Sequence, residues 1–361
     1  MASPEPHPLL SRQPLRCLFQ VVYIASIIAR LPFWLAVSLI PFLRPRPSWT
    51  VQQTLMCRAL YVLLDMSSRI GFTHPPTRPK NKDEARLEVV EPSSPDFYKG
   101  PLAFTHIQPA AIGGTWFRKS PAENKLVMLY FHGGAFVRGD SEDSHSGFAG
   151  NTLIHHADID ALFSMQYRLS GYSNLNPFPA ALQDALTGYL HLLKELHIPA
   201  SQIIFAGDSA GGNIAIALLR YVEEFGPGLN IPLPRCVTLF SPWVAPFDYK
   251  IKGHPNFASD FLPVSFLRWG ALAYGQGLAD AAQHPYITHL GNPFRTTVPI
   301  FVNYGTAEVF ATNIRRWASQ MADMHNTLEI HEEKDAYHDT ILIGGAVGFG
   351  DSARGYRSSP T

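Results

Sequence analysis

The sequence predicts an α/β protein built on a largely parallel sheet, and three observations carry that prediction. Short apolar runs at Leu126–Phe131, Ala161–Tyr167, Ile203–Ala206, Val237–Phe240 and Pro299–Tyr304 have the length and continuity of strands buried on both faces. Helical patterns at 179–195, 210–225 and 310–324 fall between them, as crossover connections require. The 361 residues are 46% hydrophobic and 16% charged, enough apolar mass to cover a sheet on both sides.

The same arithmetic removes several classes. Lys+Arg and Asp+Glu both number 29, and no basic run occurs, so nothing favours a nucleic-acid partner. Low charge with 12% aromatic residues excludes a disordered chain. Cys17, Cys57 and Cys236 lie far apart and form neither a metal-ligand spacing nor a disulfide framework. Thirty prolines argue for many loops and against a coiled coil or solenoid, and no internal repeat is visible.

Residues 1–16 are Pro-rich and polar and read as disordered. Residues 17–43 carry one charge, Arg30; as helix they would extend roughly 40 Å, enough to cross a bilayer. Arg30 near the middle would cost about 2.5–3.5 kcal/mol there, and Pro32 is expected to kink the helix. The segment is expected to be a membrane anchor, either a single span or a broken interfacial hairpin. A cleaved signal ending near Ala29 is disfavoured by Ile27, and a buried core helix by the length of the stretch. Arg12 and Arg16 flank one side and Arg44 and Arg46 the other, so charge sets no orientation. No Asn-x-Ser/Thr sequon marks a lumenal face. In 50–71, Leu55, Ala59, Val62, Met66 and Ile70 recur at helical spacing, with Thr50 as cap and Gly71 as stop. Residues 72–100 read as a linker or surface loop.

The chemistry-bearing motifs lie in the α/β region. Gly207-Asp208-Ser209-Ala210-Gly211 follows the strand Ile203–Ala206 and opens a helix. In that context G-x-S-x-G predicts a nucleophile elbow, with Ser209 raised above the sheet at a helix N-terminus, where developing negative charge is favoured. His132-Gly133-Gly134-Ala135-Phe136 follows another strand. Its small residues let backbone N–H groups of Gly133 and Gly134 approach a carbonyl and, with the N–H of Ala210, form an oxyanion hole. His132 is expected to be structural. A serine hydroxyl needs a base, and in such sites the chain order is Ser, acid, His. Of 15 histidines, His338 stands on a turn after the expected strand Leu328–His331, while His325 and His331 read as surface residues. Glu308 stands just past a strand, which favours it as the acid over Asp335, three residues from His338, and Asp280, in a helical insertion.

With HGGAF (132–136), YRL (167–169), PFPAALQDAL (177–186), GDSAGGN (207–213), SPW (241–243), SDFL (259–262), GTAEVF (305–310) and the His338 turn in this order, the chain resembles the alpha/beta hydrolase fold-3 esterases of the hormone-sensitive-lipase branch. That branch includes arylacetamide deacetylase and fungal steryl acetyl hydrolases. The resemblance covers roughly 100–345. It implies an α/β-hydrolase fold for 101–361 with a helical cap formed by 244–290 and by a helix within 44–100. It also implies the triad Ser209, Glu308 and His338. Four departures stand out: Ala135 where the family usually has glycine, Glu308 where it more often has Asp, Thr312 where a second acid is usual, and Ser170–Ser173 where an acid commonly follows YRL. The aromatic residues of 244–290 suit an apolar pocket over Ser209. An N-terminal anchor followed by RPRPSWT is similar to membrane-bound fungal members, often placed in secondary metabolism.

The expected function is therefore a membrane-anchored serine esterase, with the endoplasmic reticulum as its expected location, acting on a short acyl ester, such as an acetate, of a lipophilic alcohol. No metal or organic cofactor is expected. Two rivals share the residues: acyl transfer or rearrangement on the same triad, and a small-molecule receptor. The intact set Ser209, Glu308 and His338 argues against the receptor.

Overall fold

The computed structural model describes residues 6–73, 86–118 and 126–349. Its helices are α1 (Leu15–Leu39), α2 (Val51–Ile70), α3 (Gly147–His156), α4 (Ala180–Lys194), α5 (Ser209–Leu229), α6 (Val264–Tyr274), α7 (Ala311–Asp323) and α8 (Thr340–Val347). Its strands are β1 (Leu87–Val90), β2 (Ile112–Phe117), β3 (Val127–Phe131), β4 (Ala161–Gln166), β5 (Ile203–Asp208), β6 (Cys236–Phe240), β7 (Ile300–Gly305) and β8 (Leu328–Glu333).

The strands form one sheet in the order β1-β2-β4-β3-β5-β6-β7-β8. From β4 through β3 to β8 all neighbours are parallel, as the alternation of apolar runs and helices predicts. Every residue of β3, β4 and β5 is buried, which is why these segments lack the alternation of a half-exposed strand. Apolar cores lie against both faces of the sheet.

Two strands are not predicted by periodicity. β2 pairs antiparallel with both β1 and β4 and completes one edge. In β2 the pair Gly113-Gly114 interrupts the apolar run, and one of the two is required. A Cβ at Gly114 would collide with the Phe163 ring. The short β1 falls in the segment read as linker, part of which (74–85) lies outside the described residues. Glu88 anchors it by accepting from Trp116 Nε1 and pairing with His191.

The sequence order reverses beside β3, whose neighbours are β4 on one side and β5 on the other. At such a switch point the loops leaving adjacent strand ends diverge and leave a crevice. Phe131 of β3 is in register with Gly207 of β5, so the HGGAF loop and the elbow emerge side by side.

Outside the sheet, α2 forms as its pattern predicts. Thr50 and Gln53 make a reciprocal capping box, and Gly71 ends the helix at φ +69°. Of the segment expected to be disordered, 1–5 lie outside the described residues, but 6–16 are ordered. A 3₁₀ turn at Leu9–Ser11 leads into α1, which starts at Leu15. Aromatic contacts hold this stretch: His7 lies beside Phe72 and Tyr172, and Arg16 stacks on Phe72 at 4.8 Å. α1 runs unbroken through Pro32 and packs along α2. Tyr23 of α1 donates to Asp65 of α2, which also accepts from Ser265 and pairs with Arg69.

Candidate active site

β5 passes into α5 with no intervening loop, so Ser209 sits at the turn itself, at φ +49°. A serine in the left-handed region is strained by about 1–3 kcal/mol and persists only where its surroundings enforce it. Here they do. A Cβ at Gly207 would collide with the backbone of Gly211, and one at Gly211 with the carbonyl of Phe131. The two glycines of the pentapeptide are thus demanded by close packing of elbow, helix and β3.

The HGGAF loop is forced in the same manner. Gly134 lies at φ +113°, and its carbonyl accepts from the N–H groups of Val137 and Arg138. A Cβ at Gly133 would collide with the Asp208 carboxylate. Ala135 and Phe136 also take positive φ, +52° and +64°. His132 is fully buried, its Nδ1 2.8 Å from the Gly133 carbonyl oxygen, with its ring stacked on Tyr167. Burial, then the neighbouring His145, pushes its pKa down to about 3. It is neutral and braces the loop.

His338 stands on the loop between β8 and α8, buried, with Nδ1 3.2 Å from Glu308 Oε2. Glu308 stands in the turn after β7 and is completely buried. Burial alone would lower the imidazole's pKa. The hydrogen bond and charge of Glu308, with the charges of Asp260 and Asp208, outweigh it and raise the value above 6.5. Phe310 and Phe261 pack their rings against His338. The rival acids are engaged elsewhere: the Asp335 carboxylate accepts from Ser48 at 2.8 Å, and Asp280 is exposed. His325 is also exposed, and His331 lies within β8.

Ser209 and His338 share the wall of a cavity of about 410 Å³. Gly134 is in that wall too, whereas Gly133 is buried against Asp208 and Ala210 lies buried in the first turn of α5. The apolar part of its lining includes Leu60 and Leu64 from α2, Phe72, Phe261, Leu262 and Phe266, and the polar part includes Asp140, His145 and Gln166. Among the described residues no group of three or more His, Cys, Asp or Glu side chains is placed to hold a metal.

Two acidic side chains near the site escape sequence reasoning. Asp260, within SDFL, is buried and accepts from the N–H groups of Val309 and Phe261, both at 2.7 Å. It thereby ties the turn of Glu308 to the segment covering the cavity. Burial raises its pKa to about 7, against the opposing pull of His338. Asp339, next to His338, lines the cavity at φ +61°. An acidic residue inside an otherwise buried stretch was the available signal for each.

Comparison with known proteins identifies the family and the fold. A family model described as alpha/beta hydrolase fold matches residues 128–342. The chain is similar to an acetyl-hydrolase of Streptomyces hygroscopicus, 26% identical over 227 residues, covering 62% of this chain and 70% of that protein. It is also similar to an ethyl acetate hydrolase of Pseudomonas putida, 36% identical over 231 residues, covering 63% and 70%. In fold it is similar to the crystal structure of the hormone-sensitive-lipase homologue EstE7 from a metagenome library. That likeness has a TM-score of 0.60 and 19% identity, and covers 95% of this chain and 94% of that one.

Proposed function

The chain belongs to the alpha/beta hydrolase family, and on that premise we propose that it is a serine carboxylic-ester hydrolase acting on a short acyl ester of a lipophilic alcohol. The observation that carries the proposal is the buried pairing of His338 Nδ1 with Glu308, on a histidine that shares a cavity wall with Ser209. Glu308 fixes the tautomer, leaving Nε2 to serve the serine. Ser209 attacks the ester carbonyl, and His338 takes its proton and returns it to the leaving alcohol. Backbone N–H groups of the 133–134 turn and of Ala210 stabilise the oxyanion. His338 then activates the water that clears the acyl-enzyme. The relatives' names, acetyl-hydrolase and ethyl acetate hydrolase, favour a small acyl group, and the apolar wall from Leu60 to Phe266 favours an apolar alcohol.

Membrane association through α1 belongs to the same proposal. α1 is long and apolar enough to cross a bilayer, and little of it is buried. Its contacts with α2 favour an interfacial placement, although as an unbroken helix and not as the expected broken hairpin. If α1 spanned the bilayer, the ion pair of Asp65 with Arg69 would be drawn into hydrocarbon, at a cost of several kcal/mol. Lying in the interface, α1 turns Leu18, Val22, Ile28, Leu35 and Leu39 to lipid. The cavity beside α2 would then draw on substrate dissolved in the membrane.

A panel of p-nitrophenyl and lipophilic acetates, with product analysis in the presence and absence of added alcohols, tests the activity. Release of free acid supports hydrolysis, and capture of the acyl group by the alcohol in preference to water would replace it with acyl transfer. For the membrane, a chain starting at Arg44 should lose its resistance to an alkaline carbonate wash and still cleave p-nitrophenyl acetate. Equal release of the full-length protein would remove α1 as the anchor.

A further inference from the structure

Two carboxyl groups that the proposed mechanism does not use flank its two reacting residues. Asp208 immediately precedes Ser209, and Asp339 immediately follows His338. Both are buried. One oxygen of Asp208, Oδ1, accepts from the Tyr130 hydroxyl. The other, Oδ2, and Oδ1 of Asp339 are buried without a hydrogen-bond partner. Asp208 is in register with Phe240 of β6, and the next residue, Ser241, holds the main chain of Asp339, which sets the two carboxyl groups side by side and in contact. Two adjacent buried carboxylates repel and can only accept, whereas a single proton between them makes one a donor to the other. The backbone N–H of Asp339 donates to Ser241 Oγ at 3.1 Å, which fixes the carboxyl from its own main chain.

We infer that Asp208 and Asp339 share one proton, and that this hydrogen bond clasps the His338 loop to the nucleophile elbow and holds the imidazole in register with Ser209. Asp339 is thus a positioning residue. The inference rests on the serine-esterase reading for its catalytic consequence but not for the bond itself. Its surroundings keep the proton in place. Burial, then the charge of Asp208, raises the pKa of Asp339 well above the carboxylate range, and Glu308 and Asp260 push in the same direction. The other titratable groups around the pair are Tyr130 on β3, Tyr167 after β4, His338 itself, and His145, with Asp140 and Arg138 behind it. When the proton leaves for solvent at alkaline pH, two adjacent carboxylates repel and the clasp opens.

The test compares full-length wild type, Asp339→Asn and Asp339→Gly, with p-nitrophenyl acetate as substrate and correction for uncatalysed hydrolysis. Asparagine and glycine both tolerate the left-handed backbone at 339. Asparagine keeps a donor toward Asp208 without a titrating proton, and glycine removes the clasp. The wild-type kcat should fall on the alkaline side, while Asp339→Asn holds its rate there. Asp339→Gly should lose kcat by about 10-fold or more with KM within about twofold, the pattern of a misplaced catalytic group. Superimposable pH profiles of wild type and Asp339→Asn, or an unchanged kcat in Asp339→Gly, would overturn the clasp. Thermal melting supplies a readout independent of activity. A carboxyl with a raised folded pKa stabilises most at low pH and loses that contribution as pH rises to the folded value. The wild-type Tm, relative to that of Asp339→Asn, should therefore decline across that range. A protein that shows this decline but hydrolyses no ester keeps the clasp and loses the esterase reading, and a constant Tm difference overturns the clasp.

Discussion

The ends of β3 and β5 and the cover formed by α2 and α6 meet at one cavity, but they are determined in different ways. At the strand ends the backbone dictates the residues. Gly207 and Gly211 have no room for a side chain, and Ser209 is held at φ +49° by the packing those glycines permit. On the cover, Leu60, Leu64 and Phe266 meet only a requirement for apolar surface of suitable size, which many side chains satisfy. The first region therefore tolerates little substitution, while the second accepts other apolar side chains of similar size.

The contrast is sharpest at glycine. Gly211→Ala forces a Cβ into the Phe131 carbonyl and should displace the elbow, lowering kcat by about 10²-fold or more, as an ångström-scale misplacement does. Gly228→Ala, in the same helix with open space around it, should leave kcat unchanged and stabilise the fold by about 0.5–1 kcal/mol. Steady-state kinetics with thermal melts of both variants checks the pair, and equal effects would break the distinction.

The acid comes next. Glu308→Gln should reduce kcat by about 10³–10⁴-fold through loss of the correct tautomer, while Asp335→Asn should change it little. The pH profile carries a sign. Activity needs neutral His338, whose pKa is raised above 6.5, so the acid limb of kcat/KM should lie above that value in the wild type. Without Glu308 burial dominates, and the limb should move down. The same pairing stabilises the fold fully below 6.5, and its contribution fades as pH rises through the folded value. An acid limb unmoved in Glu308→Gln would contradict the pairing.

The smallest effect belongs to the cover. Leu64→Ala should lower kcat/KM about fivefold for a long-chain p-nitrophenyl ester, by lost apolar contact, and leave the acetate nearly unaffected. Leu63→Ala, with its side chain 53% exposed and outside the cavity wall, should alter neither. Comparing the two substrates across the two variants separates substrate accommodation from chemistry.

This difference also explains what the sequence discloses. Ser209 and the HGGAF loop are legible because their demands are local: a strand, small residues at fixed offsets, then a helix or turn. Glu308 and His338 are legible by their order along the chain and their place just past strands. Asp260 and Asp339 are not, because their meaning arises only where the ends of β5, β7 and β8 and the segment before α6 converge. β1 and β2 are hidden for another reason: one is too short to show a period, and the other is interrupted by glycine where Phe163 needs room. The order in 6–16 is hidden because it depends on Phe72 and Tyr172, which lie far along the chain.

The central claim, that Ser209 is a nucleophile activated by His338, is tested most directly by site-resolved labelling of the folded full-length protein with a phosphonate ester. Peptide mapping should place a single adduct on Ser209, formed rapidly in the wild type, slowly in His338→Ala and not at all at that position in Ser209→Ala. Failure of the folded wild type to label, or an adduct on any other residue, would contradict it.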